Sequence, residues 1–178
     1  MKKTILFSLF VSILLSFKSE YQKPQYTNEA FIIINNETKE MAKESGKFGL
    51  AGFGVYQYKL DLTGPKSPLQ ISKDSIQQLK FIVKVPSQEI NPDTYLTVMR
   101  FELKKKNKLR RIMSEPVASP YHADTDGDFN LDVGQEFSFK SEKYEDDYVI
   151  ITLQNPGIGE YTLFNANKTN SFYTFGIY

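Results

Sequence analysis

Thr94-Tyr-Leu-Thr-Val-Met-Arg-Phe-Glu-Leu-Lys104 is the stretch on which the fold class turns. Tyr95, Thr97, Met99, Phe101 and Leu103 recur at every second position, and Arg100, Glu102 and Lys104 mark the opposite face as wet. A period of two over this length predicts a half-buried β-strand, and the aromatic and β-branched residues suit a pleated surface. Asn91-Pro-Asp93 precedes it as a turn. Lys106-Asn107 fits a hairpin tip, with Lys108 to Met113 as the returning strand.

The same signals recur on both sides. Leu79-Lys-Phe-Ile-Val-Lys-Val85 predicts a strand ended by Pro86. Phe31-Ile-Ile-Ile34 runs into Asn35-Asn36, a turn signal, and Glu37 to Ser45 reads as the return of a hairpin, with a short helix stopped by Gly46 as the alternative. Phe48 to Leu62 reads as one strand weakened near its start by Gly49, Gly52 and Gly54. Leu69 to Ile71 fits a short edge strand, and Glu136 to Lys140 a short alternating one. Tyr148 to Leu153, Glu160 to Phe164 and Phe172 to Ile177 supply three more. About eight to ten short strands at regular spacing predict an all-β chain, folded as an antiparallel β-sandwich or a partly open barrel. The composition agrees, with 14 Phe, 11 Tyr and no Trp.

The first nineteen residues read differently. Lys2 and Lys3 precede an apolar run from Ile5 to Phe17, interrupted by Ser8, Ser12 and Ser16. The run is shorter than the roughly 20 residues of a membrane span and has the layout of an export signal. Ser16 and Ser19 are the small residues that fit cleavage after Ser19. The expected organisation is therefore a signal peptide over 1–19, an extended polar leader over 20–29 and one β domain over 30–178. A retained N-terminal anchor is the alternative, and either segment would be the chain's one tie to a membrane. The expected location is outside the cytoplasm, periplasmic or extracellular, in a bacterium.

Removing Lys2, Lys3 and Lys18 with the leader leaves 19 basic residues against 21 acidic ones. A charge near neutrality offers no attraction for polyanions, so nucleic acid is not an expected partner. The isolated pairs Gly52-Phe-Gly54 and Gly157-Ile-Gly159 extend to no dinucleotide fingerprint, and no P-loop is present, so no nucleotide is expected either. The chain has no Cys, which excludes disulfides and thiolate metal sites.

Three groupings could carry chemistry. Asp124, Asp126, Asp128, Asn130 and Asp132 place oxygen ligands at alternate positions, as in a calcium loop. With Asp124 first, the glycine and glutamate that an EF-hand needs at positions 6 and 12 are Phe129 and Gln135. The competing reading is a solvated turn. His122, the single histidine, lies beside this loop, but no Gly-x-Ser-x-Gly elbow marks a nucleophile for it to activate. Lys104, Lys105, Lys106, Lys108, Arg110 and Arg111 form a basic cluster on the central hairpin, read here as a charged edge that blocks sheet-to-sheet pairing. A surface glycan is the functional alternative for that cluster.

Several segments resemble together a group of exported bacterial domains of unknown function. They are Gly64-Pro-Lys-Ser-Pro68, Phe81-Ile-Val-Lys-Val85, Pro156-Gly-Ile-Gly-Glu-Tyr161 and the terminal Phe172-Tyr-Thr-Phe-Gly-Ile-Tyr178. In that group a Pro-Gly-Glu-Tyr-like turn precedes an aromatic-x-Phe-Gly-Ile strand, and Ile158-Gly159 is an insertion in the turn here. The resemblance spans about residues 50–113 and 148–178 and implies an exported β domain, with no activity or cofactor to carry over.

The expected function is thus a non-enzymatic envelope or secreted module that binds an envelope protein or glycan, with no cofactor. The alternatives are a carbohydrate-active hydrolase and a calcium-stabilised adhesion domain. The hydrolase would draw two carboxylates from Asp124, Asp126, Asp128 and Asp132 or from Glu145, Asp146 and Asp147, and needs them facing across a cleft, about 5–10 Å apart.

Overall fold

A computed structural model describes residues 21–52, 57–76, 78–87, 91–94, 96–113, 137–165 and 172–178. The described chain is all β and contains fourteen short strands in three packed sheets. The segment expected to be a signal peptide, residues 1–19, the calcium candidates from Asp124 to Asp132, and His122 lie outside the described residues.

The first sheet has the order β11-β12-β7-β1-β2, from strands Lys140–Glu145 (β11), Tyr148–Gln154 (β12), Gln78–Lys84 (β7), Ala30–Ile34 (β1) and Glu37–Glu40 (β2). All its pairings are antiparallel. Asn35 and Asn36, at φ 52° and 64°, close the β1–β2 hairpin. Two consecutive left-handed residues match the right-handed twist of the flanking strands, and asparagine tolerates that conformation better than other non-glycine residues.

The second sheet has the order β3-β14-β13-β8, from Ala42–Glu44 (β3), Phe172–Ile177 (β14), Gly159–Asn165 (β13) and Leu96–Arg100 (β8). Gln70–Ile71 (β6) adds to β14 in parallel. The third sheet has the order β4-β5-β10-β9, from Lys47–Ala51 (β4), Gln57–Thr63 (β5), Leu109–Met113 (β10) and Glu102–Lys104 (β9).

Two long segments cross between the second and third sheets, and both differ from the sequence expectation. Thr94 to Lys104 is not one strand. It bends at Phe101, whose N–H donates to Glu160 O at 2.8 Å, so that β8 pairs in the second sheet and β9 in the third. At the opposite edge β3 passes into β4 through Ser45 and Gly46. A Cβ at Gly46 would stand 2.1 Å from Leu60 Cδ1, so the bend has no room for a side chain. The second and third sheets thereby close on each other at both edges. Phe48 to Leu62 likewise forms two antiparallel strands, β4 and β5, with Ala51 opposite Gln57. Gly49 lies within β4 and Gly52 directly follows it. Residues 137–139 lack strand structure, and β11 begins only at Lys140, because Phe137 is spent on the second sheet: its N–H donates to Val98 O at 2.8 Å.

The main core lies between the first and second sheets. Ala30, Ile32, Leu79, Phe81, Val83, Val149 and Ile151 face Leu96, Val98, Tyr161, Leu163, Phe175 and Ile177. At its centre the Phe175 ring stacks on Tyr161, with centroids 5.3 Å apart and planes 10° from parallel, and meets Phe81 at 5.3 Å. The other face of the second sheet packs Met99, Phe101, Phe164 and Phe172 against Leu60, Leu62 and Ile112 of the third. The second sheet is therefore the middle layer. On the outer face of the first sheet, Phe31, Ile33, Ile82 and Ile150 form a smaller cluster with Tyr21, Tyr144 and Tyr148 against it.

Residues 21–29 lie along that outer face. Pro24 O accepts from Tyr148 Oη at 3.0 Å, Gln25 O accepts from Lys84 Nζ at 2.9 Å, and Asn28 N–H donates to Lys84 O at 2.7 Å. The segment thus brings Glu29 to the mouth between the first two sheets.

Phe175→Ala will lower the unfolding free energy by about 3–5 kcal/mol in urea denaturation, the cost of a cavity in a closed core. Ile158→Ala, at a side chain 62% exposed, will change it by less than about 0.5 kcal/mol.

Candidate functional site

The basic cluster of the β9–β10 hairpin divides by strand alternation. Arg110 lies in phase with Ile112, so both enter the space between the second and third sheets. Its side chain is 0% exposed. Nη1 and Nη2 grip the two Glu44 carboxylate oxygens at 2.8 and 2.7 Å. Nη1 also donates to Ser67 Oγ at 2.8 Å, Nη2 to Thr63 O at 3.2 Å and Nε to Gly64 O at 3.1 Å. A guanidinium has five N–H donors, and all five are used here. Glu44 also accepts from Thr174 Oγ1, and the Arg110 guanidinium sits 5.5 Å from the Phe101 ring centre. A charge without such partners could not be held there, because desolvation would exceed its attraction to the rest of the protein.

The network continues through the Gly64–Pro68 turn. Ser67 N–H donates to Glu160 Oε2 at 2.6 Å, and Gln70 Nε2 donates to Ser67 O at 2.9 Å and to Glu160 Oε1 at 3.1 Å. A Cβ at Gly176 would strike Gln70 Nε2 at 2.1 Å, so the glycine makes room for this arrangement.

Arg111 points the other way and pairs bidentately with Asp61, its cross-strand neighbour, at 2.5 and 2.8 Å. That hydrogen bond raises the guanidinium pKa further, against an opposing desolvation cost. Lys104 pairs with Glu102. The cluster is therefore no single basic face: Arg110 is buried, and Lys104 and Arg111 are paired with acids.

A cleft of about 420 Å³ opens where the edges of the first and second sheets part. Glu40 ends β2, Met41 crosses between the sheets, and Lys43 on β3 lies opposite Tyr173 on β14. Met41 and Leu69 supply apolar lining, and Glu29, Glu40, Lys43 and Tyr173 supply the polar groups. Glu29 Oε2 accepts from the N–H groups of Gln25 at 3.0 Å and Tyr26 at 3.2 Å, which fixes that carboxylate. Glu40 and Lys43 are exposed. Burial, reinforced by Glu29 and then Glu40, pushes the Tyr173 phenol up to about 12. The volume falls in the range of small-ligand sites, about 300–1,000 Å³.

The carboxylates considered for hydrolysis do not form a facing pair among the described residues. Asp146 and Asp147 make the turn between β11 and β12, and neighbouring Glu145 is paired with Lys23. The calcium candidates Asp124, Asp126, Asp128, Asn130 and Asp132 lie outside the described residues. Among those that are described, no group of three or more His, Asp or Glu could hold a metal ion.

Sequence reasoning missed Arg110 and the cleft. The phase of Arg110 with Ile112 was a usable signal, obscured by the lysines around it. The cleft had none, since its residues come from segments as far apart as Glu29 and Tyr173.

No protein-family model, no curated protein and no solved structure matches this chain.

Arg110→Met will cost about 3 kcal/mol of stability, the low end for a broken buried pair because Glu44 keeps 21% exposure. Arg110→Met with Glu44→Met will recover about half of that loss, and a double-mutant cycle by urea denaturation measures the coupling. A second outcome concerns pH. An unfolded tyrosine ionises near pH 10, below the folded Tyr173. Stability from the neutral phenol is then complete below about pH 10 and is lost as pH rises towards about 12. Tyr173→Phe removes this loss, so the variant will gain on the wild type between about pH 9 and pH 11.5 in denaturant titrations.

Proposed function

We propose that this chain is an exported, non-enzymatic β-sandwich module of a bacterial cell envelope or secretome, whose task is to bind a partner or ligand. The observation that carries the reading is the cleft at the parted edges of the first and second sheets. It joins an aromatic ring and aliphatic lining to fixed and exposed charges of both signs, the composition of a recognition surface. The inner ionic groups serve another end. Arg110, Glu44 and Glu160 are bound to one another's segments and hold the scaffold that presents the cleft. Export rests on the sequence, on Lys2, Lys3 and the apolar run to Phe17. A partner in the envelope, protein or glycan, follows from that address.

The test is fractionation of the chain in its own host, followed by capture from the envelope with a C-terminal tag. The reading expects the chain outside the cytoplasm, with Met1–Ser19 removed, and a captured component that Tyr173→Ala releases. Recovery from the cytosol with the leader intact, or turnover of a glycan or ester library by the purified chain, would contradict it.

A further inference from the structure

The charges around the cleft are not equivalent. Glu29 is half-buried, and its carboxylate is held by two backbone N–H groups that both bond Oε2. Lys43 is exposed on a long flexible stem, and a lysine in that position can turn its ammonium to water. The fixed charge is therefore negative, and the positive one can leave. Glu40 adds a second carboxylate at the exposed end of β2. Tyr173 and Leu69, both half-buried, line the same cleft, with the buried Met41 beneath.

We propose that the cleft binds an organic cation, an alkylammonium or guanidinium group on a short apolar stem, by ion pairing to Glu29 and Glu40 and by packing of the stem on Tyr173, Met41 and Leu69. This rests on the reading of the chain as a binding module and names the ligand class of its cleft. The physical basis is a preorganised negative field beside an aromatic face. A cation within about 6 Å of such a ring gains from its quadrupole as well as from the carboxylates. Burial is the larger cause of the raised Tyr173 pKa, and Glu29 and then Glu40 add to it; only the part that these carboxylates contribute also favours a cation. Glu29 Oε1 is the atom through which an ammonium could reach the fixed carboxylate without displacing its backbone donors. The stem supplies apolar contact that a bare inorganic cation lacks. The source of the cation is either a free amine or a Lys or Arg side chain of a partner, and the chemistry at the cleft is common to both.

The full chain, isotope-labelled for NMR, is titrated at low salt with cadaverine, Nα-acetyl-arginine amide, valerate and methyl glucoside. The proposal expects saturable shifts at Met41 to Lys43, Leu69 and Tyr173 with one or both cations, weakened by added salt. Glu40→Gln will weaken that binding about fivefold. Lys43→Met will tighten it about twofold, a change that a purely structural role for Lys43 would not produce. Both residues are exposed, so both variants will fold. A response to cadaverine indicates a free amine, and a response to the arginine derivative alone indicates a side chain. If valerate or methyl glucoside shifts these residues and the cations do not, the cation assignment falls and the binding reading stands. If no probe shifts them, or if Lys43→Met weakens cation binding, the proposal is overturned.

Discussion

The Arg110–Glu44 pair is the constraint around which the second and third sheets are arranged. Arg110 comes from β10 of the third sheet and Glu44 from β3 of the second, and the guanidinium also holds Thr63 at the end of β5 and Gly64 and Ser67 in the turn beyond it. One side chain thus ties two sheets and a loop together at a point shielded from water. Its charge is tolerable only because every N–H finds an oxygen, so the surrounding backbone has little freedom to shift. Ser67 passes the constraint to Glu160 on β13, and Glu160 lies at the bend where Phe101 leaves the second sheet. The polar interior and the crossing of the chain between sheets are one arrangement.

That arrangement frees the opposite face of the second sheet for a purely apolar core. Phe175, Tyr161 and Phe81 meet there, and Tyr161 disposes of its hydroxyl by donating to Gly157 O at 2.7 Å. The two faces of β13 and β14 therefore do different work. Alternation along Phe172 to Ile177 sends Phe172 and Thr174 towards Arg110 and Glu44, and Tyr173, Phe175 and Ile177 towards the first sheet. Tyr173 lies near the strand's start, packs in part against the main core and lines the cleft.

Much of the fold was legible in the sequence because the strands bury one or both faces and keep a period of two. Leu79 to Val85, Tyr148 to Leu153 and Phe172 to Ile177 lie within two residues of where they were expected. What was not legible depends on partners distant in sequence. The bend at Phe101 follows from Glu160, which no local pattern announces. The division of Phe48 to Leu62 into β4 and β5 was hidden because the sequence has no polar break between Ala51 and Gln57. Arg110 looked like one more charge in a basic run, although its position opposite Leu62 places it on an inward face. The cleft is harder still: Glu29, Glu40, Lys43 and Tyr173 have no shared motif, and the parting of two sheet edges brings them together.

Amide hydrogen exchange tests the middle position of the β13–β14 hairpin most directly. If the second sheet is packed on both faces, the amides of Thr162 to Phe164 and Thr174 to Ile177 will exchange only through global unfolding, while those of β11 and β2, at the margins of the first sheet, exchange sooner through local opening. Exchange from β13 and β14 ahead of β11 and β2 would contradict the three-layer account.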